Sequence, residues 1–271
     1  MRTRILFVAL GVNACSSFQS APVTPAGPVI SSKPAAKESN LRLASGSAVV
    51  KAMHDLYSGK FVKTMSFLQN NTAYTSTGQE QHSQWYQHLE VPGKLRIAFL
   101  PATQRSGLVQ VGDKVATFDN GIRVDFRPSV NPVLLLTADV YAATLPTIMR
   151  GLDSLNVDTE LIRTDEWEGR PVYVVGAKAG DSTSSQMWID GERLLLLRFI
   201  QRGKSAVRPV VSDIRVSSYK EIQGYQIPTE FLVIRNGRPV WREQYVNVRI
   251  NEDLPAGTFD QALWKDIPIP Q

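Results

Sequence analysis

Residues 226–250 read QIPTEFLVIRNGRPVWREQYVNVRI, two strand-like runs that meet at Asn236-Gly237. Asn-Gly favours a two-residue hairpin turn because both residues adopt positive φ at little cost. The stretch therefore predicts two antiparallel neighbours, and alternation along the second run predicts one face toward water. That alternation assigns Val240, Val246, Val248 and Ile250 to the covered face and Glu243, Asn247 and Arg249 to the solvent face.

Strand and turn signals of the same kind recur along most of the chain. Gly112-Asp113, Asp119-Asn120-Gly121 and Asp190-Gly191 supply further tight turns. Because short turns join antiparallel neighbours, the pattern predicts an α+β, mainly β fold built on one large, curved antiparallel sheet. The predicted strands are 61–75, 83–90, 94–100, 107–111, 114–118, 122–126, 159–165, 171–178, 184–190, 193–201, 208–219, 226–235 and 239–250.

Two segments interrupt the β pattern with helical spacing. Apolar residues three and four apart predict an amphipathic helix over 45–58, which Gly59 ends. Pro132 suits a first helical turn, and the apolar residues of 133–148 predict one or two helices split near Pro146.

Two predicted strands, 94–100 and 193–201, are apolar on both faces. Such strands are either covered on both sides or border a cavity that an apolar ligand fills. Patterning alone favours the covered core, because most apolar runs are core, and it leaves the cavity open.

The N-terminus carries export signals. A basic start and the apolar run 5–12, too short to span a bilayer, predict a signal peptide over residues 1–14. The residues Val12-Asn13-Ala14-Cys15 resemble the bacterial lipobox, which implies lipidation of Cys15 as the mature N-terminus, and the serines that follow imply an outer-membrane address. The alternative is ordinary cleavage near Ser20-Ala21, which would release a soluble periplasmic protein.

Three parts follow from this reading: a leader over 1–14, the lipidated Cys15 with a flexible tether to residue 40, and a folded domain over 41–271. The tether is rich in Ser, Ala and Pro and has few large apolar side chains, so it cannot bury enough surface to order itself. It would let the domain reach away from the membrane that holds Cys15.

Composition excludes several classes of function. The net charge is +5, but four basic residues and one acidic residue precede Leu41, which leaves about +2 on the domain. A net charge of this size is too small to form the continuous basic surface with which a protein binds nucleic acid. The single cysteine excludes an intramolecular disulfide.

Sequence motifs for catalysis are missing. His54, His82 and His88 have no metal-ligand spacing, and His82 and His88 are expected to face solvent. Ser217 and Lys220 match S-x-x-K only by chance, because they end a strand. We therefore expect a non-catalytic monomer without metal or cofactor.

The order of segments over 45–260 resembles the LolA/LolB family of bacterial lipoprotein carriers and receptors. The resemblance implies an incomplete β-barrel with helices covering an apolar cavity for acyl chains of lipids or lipoproteins. The matching segments are Val49-Val50-Lys51-Ala52-Met53, Trp85-Tyr86, Val91-Pro92-Gly93-Lys94-Leu95-Arg96, residues 109–118, Pro132-Val133-Leu134-Leu135-Leu136, residues 168–173, Met187-Trp188-Ile189-Asp190 and residues 254–259.

The chain departs from the carrier branch of the family at one position. In the carrier branch an Arg before the turn proline bonds the lid helix, whereas this chain has Val91, so a receptor-like role fits better than a soluble shuttle. An envelope sensor of the same fold, acting on a signalling partner, is the alternative.

The resemblance also implies which side chains line the cavity. The expected cavity residues are Met65, Phe67, Leu95, Ile97, Phe99, Phe118, Leu135, Leu136, Ile148, Met149, Trp188, Leu195 and Leu197.

Overall fold

The structure, a computed structural model, describes residues 42–203 and 210–269. Thirteen strands form one antiparallel sheet in the order β6-β5-β4-β3-β2-β1-β13-β12-β11-β10-β9-β8-β7, with β6 and β7 at its two edges. The predicted mainly β fold with a curved, unclosed sheet is confirmed. The strands are β1 (Thr64–Tyr74), β2 (Glu80–Glu90), β3 (Lys94–Phe99), β4 (Gly107–Val111), β5 (Lys114–Asp119), β6 (Ile122–Pro128), β7 (Ile162–Trp167), β8 (Arg170–Val175), β9 (Gln186–Asp190), β10 (Leu196–Arg202), β11 (Val211–Ile222), β12 (Tyr225–Arg235) and β13 (Arg238–Ile250).

The hairpin at Asn236-Gly237 forms as predicted. Both residues have positive φ, 50° and 74°, and β12 pairs with β13. The predicted tight turn at Asp190-Gly191 is wrong, because the Asp190 carboxylate accepts hydrogen bonds from the backbone N–H groups of Glu192 and Arg193 and shapes a wider loop.

The predicted solvent face of β13 is wrong at Glu243. Glu243 is 5% exposed and lies with Trp241 and Tyr245 on the inner face, while Val246 takes the outer one. The alternation changes phase near Asn247, which has a φ of 53° and lies where the pairing with β1 shifts register. A β-bulge of this kind turns the following side chains to the other face.

Three helices cover the inner face of the sheet: α1 (Gly46–Tyr57), α2 (Pro132–Thr137) and α3 (Leu145–Ser154). The apolar face of α1 is buried, and the Asn131 side chain caps α2 by accepting from two backbone N–H groups. Pro146 lies in the first turn of α3, where the helical segment was predicted to split.

Helices α2 and α3 pack closely against each other at Gly151. A Cβ added to Gly151 would lie 2.7 Å from the Leu135 side chain, closer than side-chain atoms pack. A larger residue at this position would push the end of the flexible Leu135 side chain aside. We call α2, α3 and the 3₁₀ turn between them (Asp139–Tyr141) the helical cover.

The outer face of β3–β5 is covered by the C-terminal residues. Trp264 stacks on Phe118 with ring centroids 4.5 Å apart, and the Arg96 guanidinium lies 4.0 Å from the Trp264 ring. Arg96 also donates to the Trp264 carbonyl at 2.7 Å. Strand β3 is therefore covered on its outer side by protein.

The outer face of β8–β10 holds a second apolar cluster, which includes Trp188 and Leu197. Trp167 packs against Trp188 at 5.5 Å, and the Arg198 guanidinium lies within 5.0 Å of the Trp188 ring. Because Leu196 and Phe199 pack into the main core on the other side, the covered-core interpretation holds for β10.

A buried carboxyl group ties the helical cover to the sheet. The backbone N–H of Gly93, in the turn between β2 and β3, donates to Asp139 Oδ1 at 2.8 Å. Burial raises the pKa of Asp139 to about 6, and the Gly93 hydrogen bond only partly opposes this. The charged form of Asp139 is therefore disfavoured in the folded protein.

We predict that Asp139→Asn stabilises the protein at neutral pH. Because folding raises the pKa of Asp139, the energetic cost of burying its charged form is absent below its ordinary pKa of 3.8 and develops as pH rises toward 6. The variant keeps an acceptor for Gly93, so its free energy of unfolding should exceed that of the wild type by on the order of 1–3 kcal/mol at pH 7 and match it near pH 4.

Urea unfolding at pH 4, 5, 6 and 7 measures this difference. Asp139→Ala is the control, since it removes both the charge and the acceptor and should gain less than Asp139→Asn. A difference that does not change with pH would contradict the assignment.

Candidate ligand cavity

A cavity of about 320 Å³ lies between α2 and one half of the sheet. Its walls come from β1–β6, β12 and β13, with α2 opposite, and none of its lining residues lies on β7–β11. The volume is at the lower end of the roughly 300–1,000 Å³ of typical ligand pockets. The space therefore lies between α2 and the strands β1–β6, β12 and β13.

The walls follow from the two-residue period of the strands. Met65 and Phe67 of β1 face inward, and their partners on β2 are Leu89 and Gln87. The same ladder continues outward, because Gln87 pairs with Ile97 of β3 and Ile97 with Leu108 of β4. Directly paired residues share a face, so the inward series forms one continuous surface.

Most of this surface is apolar. The side chains that form it come from the segment before β1, from strands β1–β5 and from α2. They are Phe61, Val62, Met65, Phe67, Trp85, Leu89, Val91, Leu95, Ile97, Phe99, Leu108, Val115, Val133, Leu134 and Ala138.

The predicted cavity residues divide into three groups. Met65, Phe67, Leu95, Ile97 and Phe99 line the cavity. Others lie in the solid part of the main core or pack against it: Leu135, Leu136, Ile148, Met149 and Leu195. The remaining three lie on the outer face of the sheet: Phe118 under Trp264, and Trp188 and Leu197 in the second outer cluster.

Several wall residues were missed by sequence reasoning. Trp85 and Leu89 alternate with Gln87 on one face of β2. Leu108 and Val115 lie on the same cavity wall. Only the strand register could have revealed them, because polar Gln87 interrupts the apolar alternation.

The cavity reaches the surface along the edge strand β6. Val124, Asp125 and Arg127 of that strand border it, and Val124 is 58% exposed. Ile122 and Phe126 of the same strand are also exposed, at 66% and 49%. The open edge of the sheet is therefore the mouth of the cavity and carries apolar side chains in contact with solvent.

Polar side chains occupy one region of the wall. Gln69 and Gln87 face the cavity together with Glu243 and Tyr245, whereas Gln110 lies at the other end of the wall, in the row of Leu95 and Met65. Glu243 accepts hydrogen bonds from Trp241 Nε1 at 2.9 Å and from the Tyr245 hydroxyl at 3.2 Å. Burial raises the pKa of Glu243, and these two hydrogen bonds oppose the rise.

The histidines divide between the surface and the core. His82 is exposed as expected, but the expectation for His88 is wrong: it is 5% exposed on the outer face, opposite Arg96 in the pairing of β2 with β3. Burial and the nearby Arg96 lower the pKa of His88 to about 4. Within residues 42–203 and 210–269, no group of three or more histidine, cysteine or acidic side chains could hold a metal ion.

The part of the chain that the structure describes contains no helix of the length and apolar character needed to cross a membrane. The predicted lipidation site at Cys15, the leader and the tether lie outside the described residues.

Comparisons with known proteins identify the fold. No family model matches the chain, and no curated protein matches it significantly. A LolA superfamily protein from Nitrosomonas europaea superposes with a TM-score of 0.54 at 13% identity, covering 80% of this chain and 98% of that one.

Two further structures superpose to a similar extent. A DUF1329 family protein from Desulfovibrio piger gives a TM-score of 0.56 at 16% identity, covering 81% of this chain and 97% of its own. A domain assigned to outer membrane lipoprotein sorting in Vibrio parahaemolyticus gives 0.57 at 8% identity, with coverage of 80% and 97%. The chain therefore has a LolA-like fold.

Proposed function

We propose that this chain is a non-catalytic lipoprotein of the bacterial cell envelope that binds or transfers acyl chains of lipids or lipoproteins. The observation that carries the proposal is the cavity of about 320 Å³, whose wall is apolar over most of its surface. The LolA-like fold supports it, because the similar structures include a protein assigned to lipoprotein sorting.

Apolar transfer supplies the driving force for such binding. Each methylene that leaves water contributes roughly 0.8 kcal/mol, so part of one acyl chain suffices for substantial affinity without covalent chemistry. Met65 adds an adaptable side chain to the wall, which suits ligands of irregular shape.

The route into the cavity would run along β6. Val124, which is exposed and borders the cavity, offers an apolar contact at this edge to a chain on its way between the mouth and the interior. The two free edges of the sheet allow the mouth to widen without breaking a β-ladder.

A receptor-like role is proposed over that of a soluble shuttle. Val91 takes the place of the lid-binding arginine of the carriers and lines the cavity. The contact between the turn and the helical cover is made instead by the Gly93 N–H and Asp139. A neutral backbone donor in place of a guanidinium implies a weaker, differently controlled closure.

Membrane attachment through Cys15 and a periplasm-facing position at the outer membrane complete the proposal. Residues 16–40 would act as the tether between the lipidated cysteine and a monomeric domain. Release into the periplasm after ordinary signal cleavage is the alternative.

A sensor of bound lipid is the second candidate, favoured by the exposed apolar side chains of β6 beside the mouth. These side chains could contact a partner protein according to whether the cavity is filled. A labelled lipid that passes to acceptor vesicles supports transfer, whereas a lipid that stays bound and changes affinity for a partner supports sensing.

We predict that Leu108→Trp blocks acyl binding. The added indole would occupy the cavity, so the dissociation constant for a fluorescent fatty acid should rise at least about tenfold, while overpacking costs about 1–3 kcal/mol of stability. Leu56→Trp, on the exposed side of α1, is the matched control and should bind like the wild type.

Native mass spectrometry of the purified protein, before and after lipid extraction, provides the second measurement. Co-purifying acyl species in the wild type that disappear in Leu108→Trp support the proposal. Equal binding by both proteins would place the ligand elsewhere.

We predict that Cys15→Ser abolishes lipid attachment. Metabolic labelling with a radioactive fatty acid in a bacterial host should label the wild type and not the variant, and globomycin should block processing of the wild type alone. Processing that globomycin and the substitution leave unchanged would indicate the soluble periplasmic form.

A further inference from the structure

The polar region of the cavity wall contains a carboxyl group without a counter-charge. Glu243 is fully enclosed, and among the described residues no cation contributes to its electrostatic environment. Both of its oxygens already accept hydrogen bonds, one from Trp241 and one from Tyr245. Isolated buried carboxylates are costly, and the cost falls when a cation binds them.

The neighbouring amides extend this arrangement. Gln87 donates to Gln69, and Gln69 donates to Asn71, which lies directly opposite Glu243 in the pairing of β1 with β13. Asn71 is 2% exposed, and its Nδ2 has no hydrogen-bond partner. Because Nδ2 is a donor, Asn71 offers nothing to a cation, and the Glu243 carboxyl is the group that would bind one.

The side chains around the polar region present acceptors. Gln87 Nε2 uses one of its two hydrogens on Gln69, the Gln87 carbonyl oxygen remains an acceptor, and the Tyr245 hydroxyl donates its proton to Glu243. Within the described residues, a ligand that donates hydrogen bonds and carries positive charge fits this chemistry better than an anionic one.

We propose that Glu243 and Gln87 bind the protonated amine of a single-chain amphiphile whose alkyl chain lies along the apolar wall. This inference rests on the proposed function, because it names the class of ligand for the same cavity. Asn71 follows Met65 by six residue steps, which places the polar site about 20 Å along β1 from the opposite end of the wall. An alkyl chain extending from Glu243 toward Met65 stays in contact with apolar residues.

Isothermal titration of the purified protein at pH 7 with dodecylamine, dodecanol and dodecanoate, each below its micellar concentration, tests the proposal. The three probes share one chain length and differ only in the polar end. We expect dodecylamine to bind at least about tenfold more tightly than dodecanol, and dodecanoate to bind most weakly because Glu243 repels it.

The variant Glu243→Gln removes the charge and keeps one acceptor oxygen for Trp241 Nε1, while its amide NH2 can donate to the Tyr245 hydroxyl oxygen. In this variant the affinity for dodecylamine should fall to that for dodecanol, and the affinity for dodecanol should not change. Glu230→Gln is the matched control, because Glu230 lies on the neighbouring strand β12 and pairs with Arg242 away from the cavity. It should retain the preference for the amine.

The outcomes separate the two proposals. Binding of dodecanol and dodecanoate with no preference for the amine in the wild type would overturn the assignment of Glu243 and leave acyl binding intact. A preference that persists in Glu243→Gln would do the same. If none of the three probes binds, the proposed function itself fails. The wild-type series decides without the variants should Glu243→Gln not fold.

Discussion

The structure depends on one constraint: a β-strand places successive side chains on opposite faces, so an unclosed sheet must cover both faces by separate means. Helices cover the inner face, and the C-terminal residues around Trp264 cover part of the outer one. Helix α1 packs against β8, whereas α2 faces strands β1–β6 across the cavity. The cavity is the space that this uneven cover leaves.

The same constraint explains why the wall has a mixed character. Gln69 and Glu243 occupy inward positions of strands whose neighbours are apolar, so they become part of the surface that a ligand meets. In a solid core such side chains would be strongly disfavoured. Next to a cavity, hydrogen bonds among these side chains stabilise them. They make one end of an otherwise apolar wall polar, so that the wall can distinguish the two ends of a ligand.

The fold was predictable from local signals, and the site only in part. Asn236-Gly237 and the regular spacing of strands specify antiparallel neighbours without knowledge of the rest of the chain. The face of a side chain is not local, because one bulge near Asn247 reverses it and puts Glu243 inside. Trp188 is apolar and on a strand, as a wall residue would be, yet it packs outside under Trp167.

The position of β6 at the margin of the sheet bears on how the cavity can be entered. The 3₁₀ turn that follows α2 is held to the sheet by the hydrogen bond between Gly93 and Asp139, so movement of α2 away from the wall would strain or break that bond. Strand β6 is hydrogen-bonded to a neighbouring strand on one side only. Displacement of β6 would therefore open the cavity at a smaller cost in hydrogen bonds than displacement of an inner strand.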